Sequence, residues 1–171
     1  MRREIDIFSL RNSAPSPRNS VLQKDKVMEE LMRMMKLKQQ GFFCSQILLN
    51  MALQDRDESN PALIRAARAL AGGLGFSGET CGALTGGACM LGLYAGKGEP
   101  DEPDDPRTDQ MVQELVAWFK EEHGQNYGGI RCDEILDGDP ANTKSRCPNL
   151  IITTYEKANE LLEKYEVTGE D

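Results

Sequence analysis

The chain has 171 residues, of which 39% are hydrophobic, and a formal net charge of −8. This length is enough for one domain with a buried core. An acidic surface repels phosphate backbones, so nucleic acid is not an expected partner. The N-terminus is charged from Arg2 onward, and the longest uncharged run, 80–96, is short and rich in glycine. The sequence therefore predicts no secretory signal, no membrane insertion and a cytoplasmic location.

The chain contains five cysteines, and the predicted cytoplasmic location affects how they are interpreted. Structural disulfides are rare in a reducing cytosol, so several cysteines indicate metal binding or redox chemistry. Each cysteine taken alone has a simpler interpretation, because a free cysteine is also an ordinary small core residue. The positions of the cysteines along the predicted helices decide between the two.

Residues 1–20 show neither helical nor strand periodicity and contain Pro15 and Pro17. They are predicted to form a flexible N-terminal arm, for which docking on a partner subunit is one interpretation. Residues 21–171 are predicted to form a helical redox-active cysteine domain. No strand pattern and no internal repeat interrupts this second segment. The predicted fold class is therefore all-α, a single-domain bundle of about five to six helices.

The first predicted helix begins near Val21 and ends at Gly41. Its apolar residues recur at steps of three and four and are predicted to form its core face. A pliable binding surface is the alternative, because methionine is common at such surfaces. The residues concerned are Val27, Met28, Leu31, Met32, Met35 and Leu37.

The next segments place Cys44 in the first turn of a second helix and Pro61 at the first position of a third. The glycine-rich stretch 72–94 then contains GLGFSG, a match to the GxGxxG dinucleotide pattern. That motif needs a preceding strand, and an alanine-rich helix precedes it here, so no nucleotide is expected. Ser77 or Thr80 is predicted to cap a fourth helix that starts near Cys81.

Residues 96–106 are acidic and contain prolines, which predicts an exposed connector rather than a cation site. A fifth helix is predicted from about Thr108. His123, the single histidine, is placed at the C-terminal end of that helix, where the helix dipole explains it without a catalytic role. Pro148 predicts that the last helix begins beside Cys147.

Four cysteines, Cys44, Cys81, Cys132 and Cys147, are each predicted within about a turn of a helix start. Unpaired amides and the helix dipole favour an anion there, so lowered thiol pKa values are expected. Cys89 falls in mid-helix among apolar residues and is predicted to be a core residue. Cys81 and Cys89 are separated by about 12 Å along one helix, too far for a disulfide. Any cysteine chemistry therefore requires separate helices to converge.

The spacing of the cysteines does not by itself identify a ligand. CxxC is absent, which weakens both a thioredoxin-type site and a zinc ribbon, and no ferredoxin spacing fits. CxxCH is also absent, so a covalently attached haem is not expected. The cysteine spacing therefore leaves both the reaction and the ligand open.

Four segments resemble a known family: GFFCSQ at 41–46, GETCGALTGG at 78–87, GGIRCDEILDGD at 128–139 and CPNL at 147–150. In this order they resemble the bacterial and archaeal C_GCAxxG_C_C family of redox-active proteins. The resemblance implies that Cys44, Cys81, Cys132 and Cys147 are the motif cysteines, and Cys89 has no place in the pattern. The family is also similar to a domain of split-Soret cytochromes that is associated with an iron–sulfur cluster.

Three hypotheses follow for the function. In the first, the motif cysteines bind an iron–sulfur cluster in an electron-transfer protein, with Gly82 and Gly86 allowing close approach; zinc is the alternative ion. In the second, Cys132 and Cys147 are the pair of a thiol–disulfide oxidoreductase or redox sensor, because their short link costs little entropy to close. In the third, the chain is a non-catalytic subunit of a larger redox complex. The expected partner is a redox protein or a complex subunit, and homo-oligomerisation is left open.

Overall fold

The computed structural model describes residues 17–167, with side chains from residue 24 onward. Residues 1–16 of the predicted arm lie outside this range, and residues 17–20 already belong to a helix. The first helix therefore begins at Pro17 rather than near Val21. Proline suits the first turn of a helix because it has no backbone N–H, and N–H groups in that turn have no partner within the helix. The described residues contain no strand beyond one isolated bridge. The all-α prediction is confirmed.

In chain order the helices are α1 (Pro17–Gln39), α2 (Cys44–Asp55), α3 (Pro61–Ala67), α4 (Gly82–Ala95), α5 (Arg107–Phe119), α6 (Gln125–Tyr127), α7 (Cys132–Leu136) and α8 (Cys147–Lys164). Five of them, α1, α2, α4, α5 and α8, have twelve residues or more and form the bundle, in agreement with the predicted count. The helices in the described range lack the combined length and apolar character needed to cross a bilayer.

Two helix boundaries and one connector follow their sequence signals. Gly41 adopts a φ of +89° directly after α1, the conformation that favours glycine at a helix end. Pro61 is the first residue of α3, and the side chain of Asn60 accepts a hydrogen bond of 3.0 Å from the Leu63 N–H. The acidic connector at 96–106 is exposed along almost its whole length, as predicted.

Helix α4 packs against both α2 and α8, because two adjacent glycines let these neighbours approach closely. A Cβ at Gly86 would lie 2.8 Å from the Cα of Ser45 on α2, and one at Gly87 would lie 2.6 Å from the Thr154 methyl on α8. Both distances are shorter than van der Waals contact, so a side chain at either position would force the helices apart. The surrounding core includes the buried side chains of Leu48, Met51, Leu91, Leu115, Phe119 and Tyr155.

Five of the six apolar residues predicted as the core face of α1 are exposed, which corrects their predicted role, and only Leu37 is buried as predicted. Met28 and Met32 are 55% and 60% exposed, whereas the buried side of α1 carries Glu30, Met34 and Leu37. Both sets repeat at three- and four-residue steps, so periodicity alone could not identify the side that faces the core. The exposed stripe consists of Val27, Met28, Leu31, Met32 and Met35.

Helix α5 continues through a π-helical segment, Lys120–Gly124, into α6. His123 lies inside this segment and is only 3% exposed, which corrects its predicted placement at a helix end. Its ring packs edge-on against Trp118 and Phe119, and its Nε2 atom lies 3.0 Å from Oγ1 of Thr153. Burial lowers the pKa of His123, so the side chain is a neutral core group.

Candidate functional site

Four cysteines stand at the starts of four different helices, as predicted. Cys44, Cys132 and Cys147 are the first residues of α2, α7 and α8, and Cys81 is the N-cap residue of α4. All four line one small cavity of about 20 Å³. The structure thus brings these cysteines together in an otherwise apolar site, whose remaining wall is formed by Gly82, Ala83, Ile135, Leu136, Leu150 and Ile151.

Two antiparallel backbone segments hold Cys81 beside Cys132. The N–H of Cys81 donates to the carbonyl of Ile130 over 2.9 Å, and the N–H of Cys132 donates to the carbonyl of Glu79 over 2.6 Å. Together these bonds form the isolated bridge of the fold. Because the main chain itself is bonded at both cysteines, the placement of this pair does not depend on side-chain packing alone.

Helix α4 starts without a side-chain cap, which corrects the capping role predicted for Ser77 or Thr80. The Ser77 hydroxyl donates to a carbonyl of its own loop over 2.7 Å, and Thr80 belongs to the bridge. Burial raises the pKa of Cys81, and the amides of Ala83 and Leu84 in the first turn only partly oppose that rise.

Cys44 is positioned by α3 and by the loop that follows it. Its neighbour Ser45 donates a hydrogen bond of 2.8 Å to the carbonyl of Ala67, which ties the start of α2 to α3. Burial raises the pKa of the Cys44 thiol, and among the amides that oppose this rise that of Gly72 has the largest effect. The same sulfur packs directly against Gly82, where a Cβ would overlap it.

The two glycines predicted at the site have different positions. Gly82 lines the cavity between the cysteines. Gly86 lies one turn farther along α4, outside the cavity lining, and faces Ser45 and Leu48 of α2. Its close approach serves helix packing, and it acts on the site only through the position of α2.

Two side-chain hydrogen bonds attach the link between α7 and α8 to the end of α7, just before Cys147. The Nη1 atom of Arg146 donates to the carbonyl of Ile135 over 2.5 Å, and the Asn142 amide donates to the carbonyl of Leu136 over 2.8 Å. Both acceptors belong to the last turn of α7, where carbonyl groups lack partners within the helix. The two contacts therefore cap α7 and fix the start of α8 together.

Burial raises the pKa of every cysteine in the cavity, which corrects the prediction of lowered values. It raises the pKa of Cys81 to about 12 and that of Cys147 to about 11, and it raises those of Cys44 and Cys132 as well. Amides at the helix starts lower the pKa of Cys44 and Cys81, but burial outweighs them. The four groups are therefore neutral thiols near pH 7 when nothing is bound.

The fifth cysteine, Cys89, is exposed, which corrects its predicted place in the core. It lies on α4 but outside the cavity lining. Its neighbours Met90 and Leu91 are fully buried, so the apolar context of the sequence concealed the outward face of the helix. Cys89 is separate from the four-cysteine site.

The sulfurs surround the cavity without converging on one point. Within residues 17–167, no three Cys, His, Asp or Glu side chains are grouped closely enough to hold a metal ion. A tetrahedral zinc site needs its sulfurs about 2.3 Å from a common centre, and a cavity of this size has room for about one water molecule. Four soft thiolates nevertheless form a donor set that suits an iron–sulfur cluster or zinc.

Beside Cys44 lies an exposed surface that the sequence reasoning missed. The rings of Phe43 and Phe76 form an edge-to-face pair with centroids 5.2 Å apart, and the guanidinium of Arg68 lies over both rings, at 4.4 and 4.9 Å. Phe76 ends the stretch 72–76, GGLGF, in which all five residues have positive φ. Its three glycines were the available signal, because glycine adopts this conformation readily.

The comparisons with known proteins give one family match. The family described as "Putative redox-active protein (C_GCAxxG_C_C)" matches residues 42–161, a segment that includes all four cavity cysteines. No curated protein and no solved structure matches the chain. Since the match covers well over half of its length, the chain belongs to the C_GCAxxG_C_C family of redox-active proteins.

Proposed function

We propose that this protein transfers electrons through an iron–sulfur cluster held by Cys44, Cys81, Cys132 and Cys147. The observation that carries the proposal is the single cavity that these four thiols share. Cysteine thiolates are the usual protein ligands of such clusters, and membership of a redox-active family supports the same chemistry. When bound, the cluster supplies a carrier for single electrons.

The surroundings of the thiols suit that role. Backbone amides favour the thiolate forms of Cys44 and Cys81, and hydrogen bonds from such amides to ligand sulfurs tune the potential of a cluster. The apolar wall shields the buried Cys81 from water, while the other three cysteines stay partly exposed. Because the free thiols are protonated at neutral pH, binding must release protons and is expected to weaken as the pH falls.

Space in the cavity limits how a cluster can enter. The volume of about 20 Å³ is too small for several iron and sulfide atoms. Cys81 is buried, whereas Cys132 and Cys147 are only partly buried on the short α7 and the following link. Loading therefore requires the helix starts that carry the four thiols to move apart.

Anaerobic reconstitution with iron and sulfide tests this function. We expect bound iron and acid-labile sulfide in similar amounts, together with the visible absorption of a cluster. A protein that stays colourless and free of iron contradicts the proposal. Stoichiometric zinc without sulfide, found in protein purified under the same conditions, supports a structural zinc ion instead.

A dithiol–disulfide function of Cys132 and Cys147 is the second candidate, and the place of both thiols in the lining of one cavity supports it. In this reaction the two thiols give up two electrons and two protons to an external disulfide, which is reduced to two thiols. Intact mass and peptide mapping after mild oxidation would show a loss of two hydrogens in that pair, and an unchanged mass excludes it.

The location and the assembly of the protein are proposed from the sequence alone. The sequence predicts a cytoplasmic location and a redox partner protein, and it leaves homo-oligomerisation open. The proposed docking role of the arm concerns residues that lie mainly outside the described range.

A further inference from the structure

We propose that the surface formed by Phe43, Arg68, Leu74 and Phe76, here called the aromatic patch, docks an acidic electron-carrier protein. The inference rests on the redox function proposed above, for which it names the partner surface. Three properties of the patch carry it: exposed apolar side chains held on a strained backbone, unpaired positive charge, and direct contact with the environment of Cys44.

The aromatic patch exposes apolar area that the described chain does not cover. Phe43, Leu74 and Phe76 are 39%, 49% and 56% exposed. Large aromatic and aliphatic side chains of this kind are enriched at the centres of protein interfaces. Their grouping at one place, instead of single scattered residues, indicates an interaction site.

Backbone strain in the aromatic patch supports the same conclusion. Leu74 and Phe76 have φ values of +62° and +66°, in the left-handed region that is unfavourable for residues with a Cβ. Glycine occupies the alternate positions 73 and 75, where the same conformation costs little. The Phe76 ring packs against Phe43, but this conformation still leaves Leu74 and Phe76 49% and 56% exposed, and such strain is typical of functional sites.

The charge of the aromatic patch indicates an acidic partner. Arg68 and Arg65, one turn apart and both exposed, form no ion pair with any carboxylate of the described residues. Glu79, the nearest acidic residue after the strained loop, is paired with Arg131 over 2.7 Å. On a chain with a net charge of −8, this free positive charge is complementary to carboxylates. Arginine is also well suited to pair with them in a bidentate manner.

Contacts link the aromatic patch to the four-cysteine site. Phe43 directly precedes Cys44, and the Phe76 ring packs against Gly72, whose amide lowers the pKa of the Cys44 thiol. A carrier on this surface therefore lies one residue away from a cluster ligand. A cluster held by Cys44, Cys81, Cys132 and Cys147 would accept one electron from the reduced carrier, which would itself be oxidised by one electron.

Calorimetric titration with a purified acidic [2Fe–2S] ferredoxin tests the proposal. The ferredoxin is titrated into the apo protein and, separately, into the reconstituted protein. The ionic strength is set to about 0.1 M, so that the repulsion between distant charges is screened while close pairs still act. We expect measurable binding that Arg68→Glu and Leu74→Asn each weaken about tenfold, as expected for residues at the centre of an interface. Lys97→Glu makes the same charge change at the opposite end of α4 and should leave affinity unchanged.

The outcomes separate this proposal from the proposed function. Iron and sulfide content of each variant reports on cluster binding, and circular dichroism reports on folding, independently of affinity. Absence of ferredoxin binding by a well-loaded wild-type protein contradicts the docking proposal alone. Equal weakening by Lys97→Glu, or a dimer of this chain that Leu74→Asn dissociates, also contradicts it, because the patch would then be non-specific or a self-interface.

Discussion

The sulfur of Cys44 packs against the Cα of Gly82, so closely that a Cβ at that position would overlap it. We therefore expect Gly82→Ala to displace Cys44 from the cavity and to reduce iron loading severely. The overlap should also lower the free energy of unfolding by about 1–3 kcal/mol, the usual cost of overpacking. Iron analysis after reconstitution and urea denaturation measure the two effects.

Gly92→Ala is the matched control on the same helix. A Cβ at Gly92 meets no atom within 4 Å, so alanine should stabilise α4 by about 0.5–1 kcal/mol through its higher helix propensity. Iron loading should not change. Equal iron loading by the Gly82 variant and this control would show that the contact with Cys44 does not matter for the site.

A second prediction concerns the buried hydroxyl of Tyr155, which donates a hydrogen bond to the carboxylate of Asp55. Asp55 also pairs with Arg33 over 2.8 Å. Tyr155→Phe should destabilise the fold by about 1.5–3 kcal/mol, because it removes a hydrogen bond from a buried side chain to a charged group. A double-mutant cycle with Asp55→Asn measures the coupling.

Tyr165→Phe provides the comparison for that cycle. Its hydroxyl bonds Glu114 over 2.6 Å at an exposed ion pair with Lys164, where water replaces a lost partner readily. The expected cost is below about 1 kcal/mol. If both tyrosine variants cost the same, burial does not strengthen the contact between Tyr155 and Asp55.

The third prediction is a pH dependence that arises from His123. The Thr153 hydroxyl donates to the carbonyl of Asn149 over 2.8 Å, so the Nε2 atom of a neutral His123 must donate to Thr153. Burial lowers the folded-state pKa of His123 below the unfolded value of about 6.5. Below that pH the unfolded chain binds more protons, so His123 makes stability fall as the pH drops toward the folded-state pKa.

His123→Gln keeps a donor near Thr153 and removes the titration. Unfolding free energies measured between about pH 7.5 and 5 should fall more steeply for the wild type than for this variant, by at most about 1.4 kcal/mol per pH unit. Carboxylates titrate alike in both proteins, so the difference between the two curves isolates His123. Parallel curves would contradict a buried neutral histidine.

A fourth prediction concerns the strain at Leu74. Asparagine tolerates left-handed φ better than leucine, so Leu74→Asn should leave stability unchanged or raise it by up to about 1 kcal/mol. Leu31→Asn, at an exposed position in the ordinary helix α1, should instead cost about 0.5 kcal/mol in helix propensity. A loss above about 1 kcal/mol in the Leu74 variant would show that its side chain contributes packing that outweighs the strain.

The fold class and the placement of four cysteines at helix starts could be predicted from the sequence, because both depend on local signals. Helix-start chemistry around Cys44 and Pro148 depends only on neighbouring residues, and the structure places helix starts there. The orientation of a helix is a tertiary property. The stripe containing Met28 and the face containing Met34 have the same spacing, and only contact with α2 and α8 decides between them. Cys89 was misplaced for the same reason.

The electrostatics of the site could not be predicted from position along the chain. Helix starts do supply amides to Cys44 and Cys81, as expected. The depth of burial, which outweighs those amides, arises when four helices meet around one cavity. The left-handed loop that carries Phe76 was equally hidden, because the glycines allow that conformation without requiring it.

The most direct measurement of the central claim is iron and acid-labile sulfide content after anaerobic reconstitution, compared across five single Cys→Ser variants. Serine at position 44, 81, 132 or 147 should sharply reduce cluster content and its visible absorption, because each of these thiols lines the cavity. Serine at position 89 should leave both unchanged, since that thiol is exposed and outside the cavity. A wild type without iron and sulfide, or equal losses in all five variants, would contradict a four-cysteine cluster site.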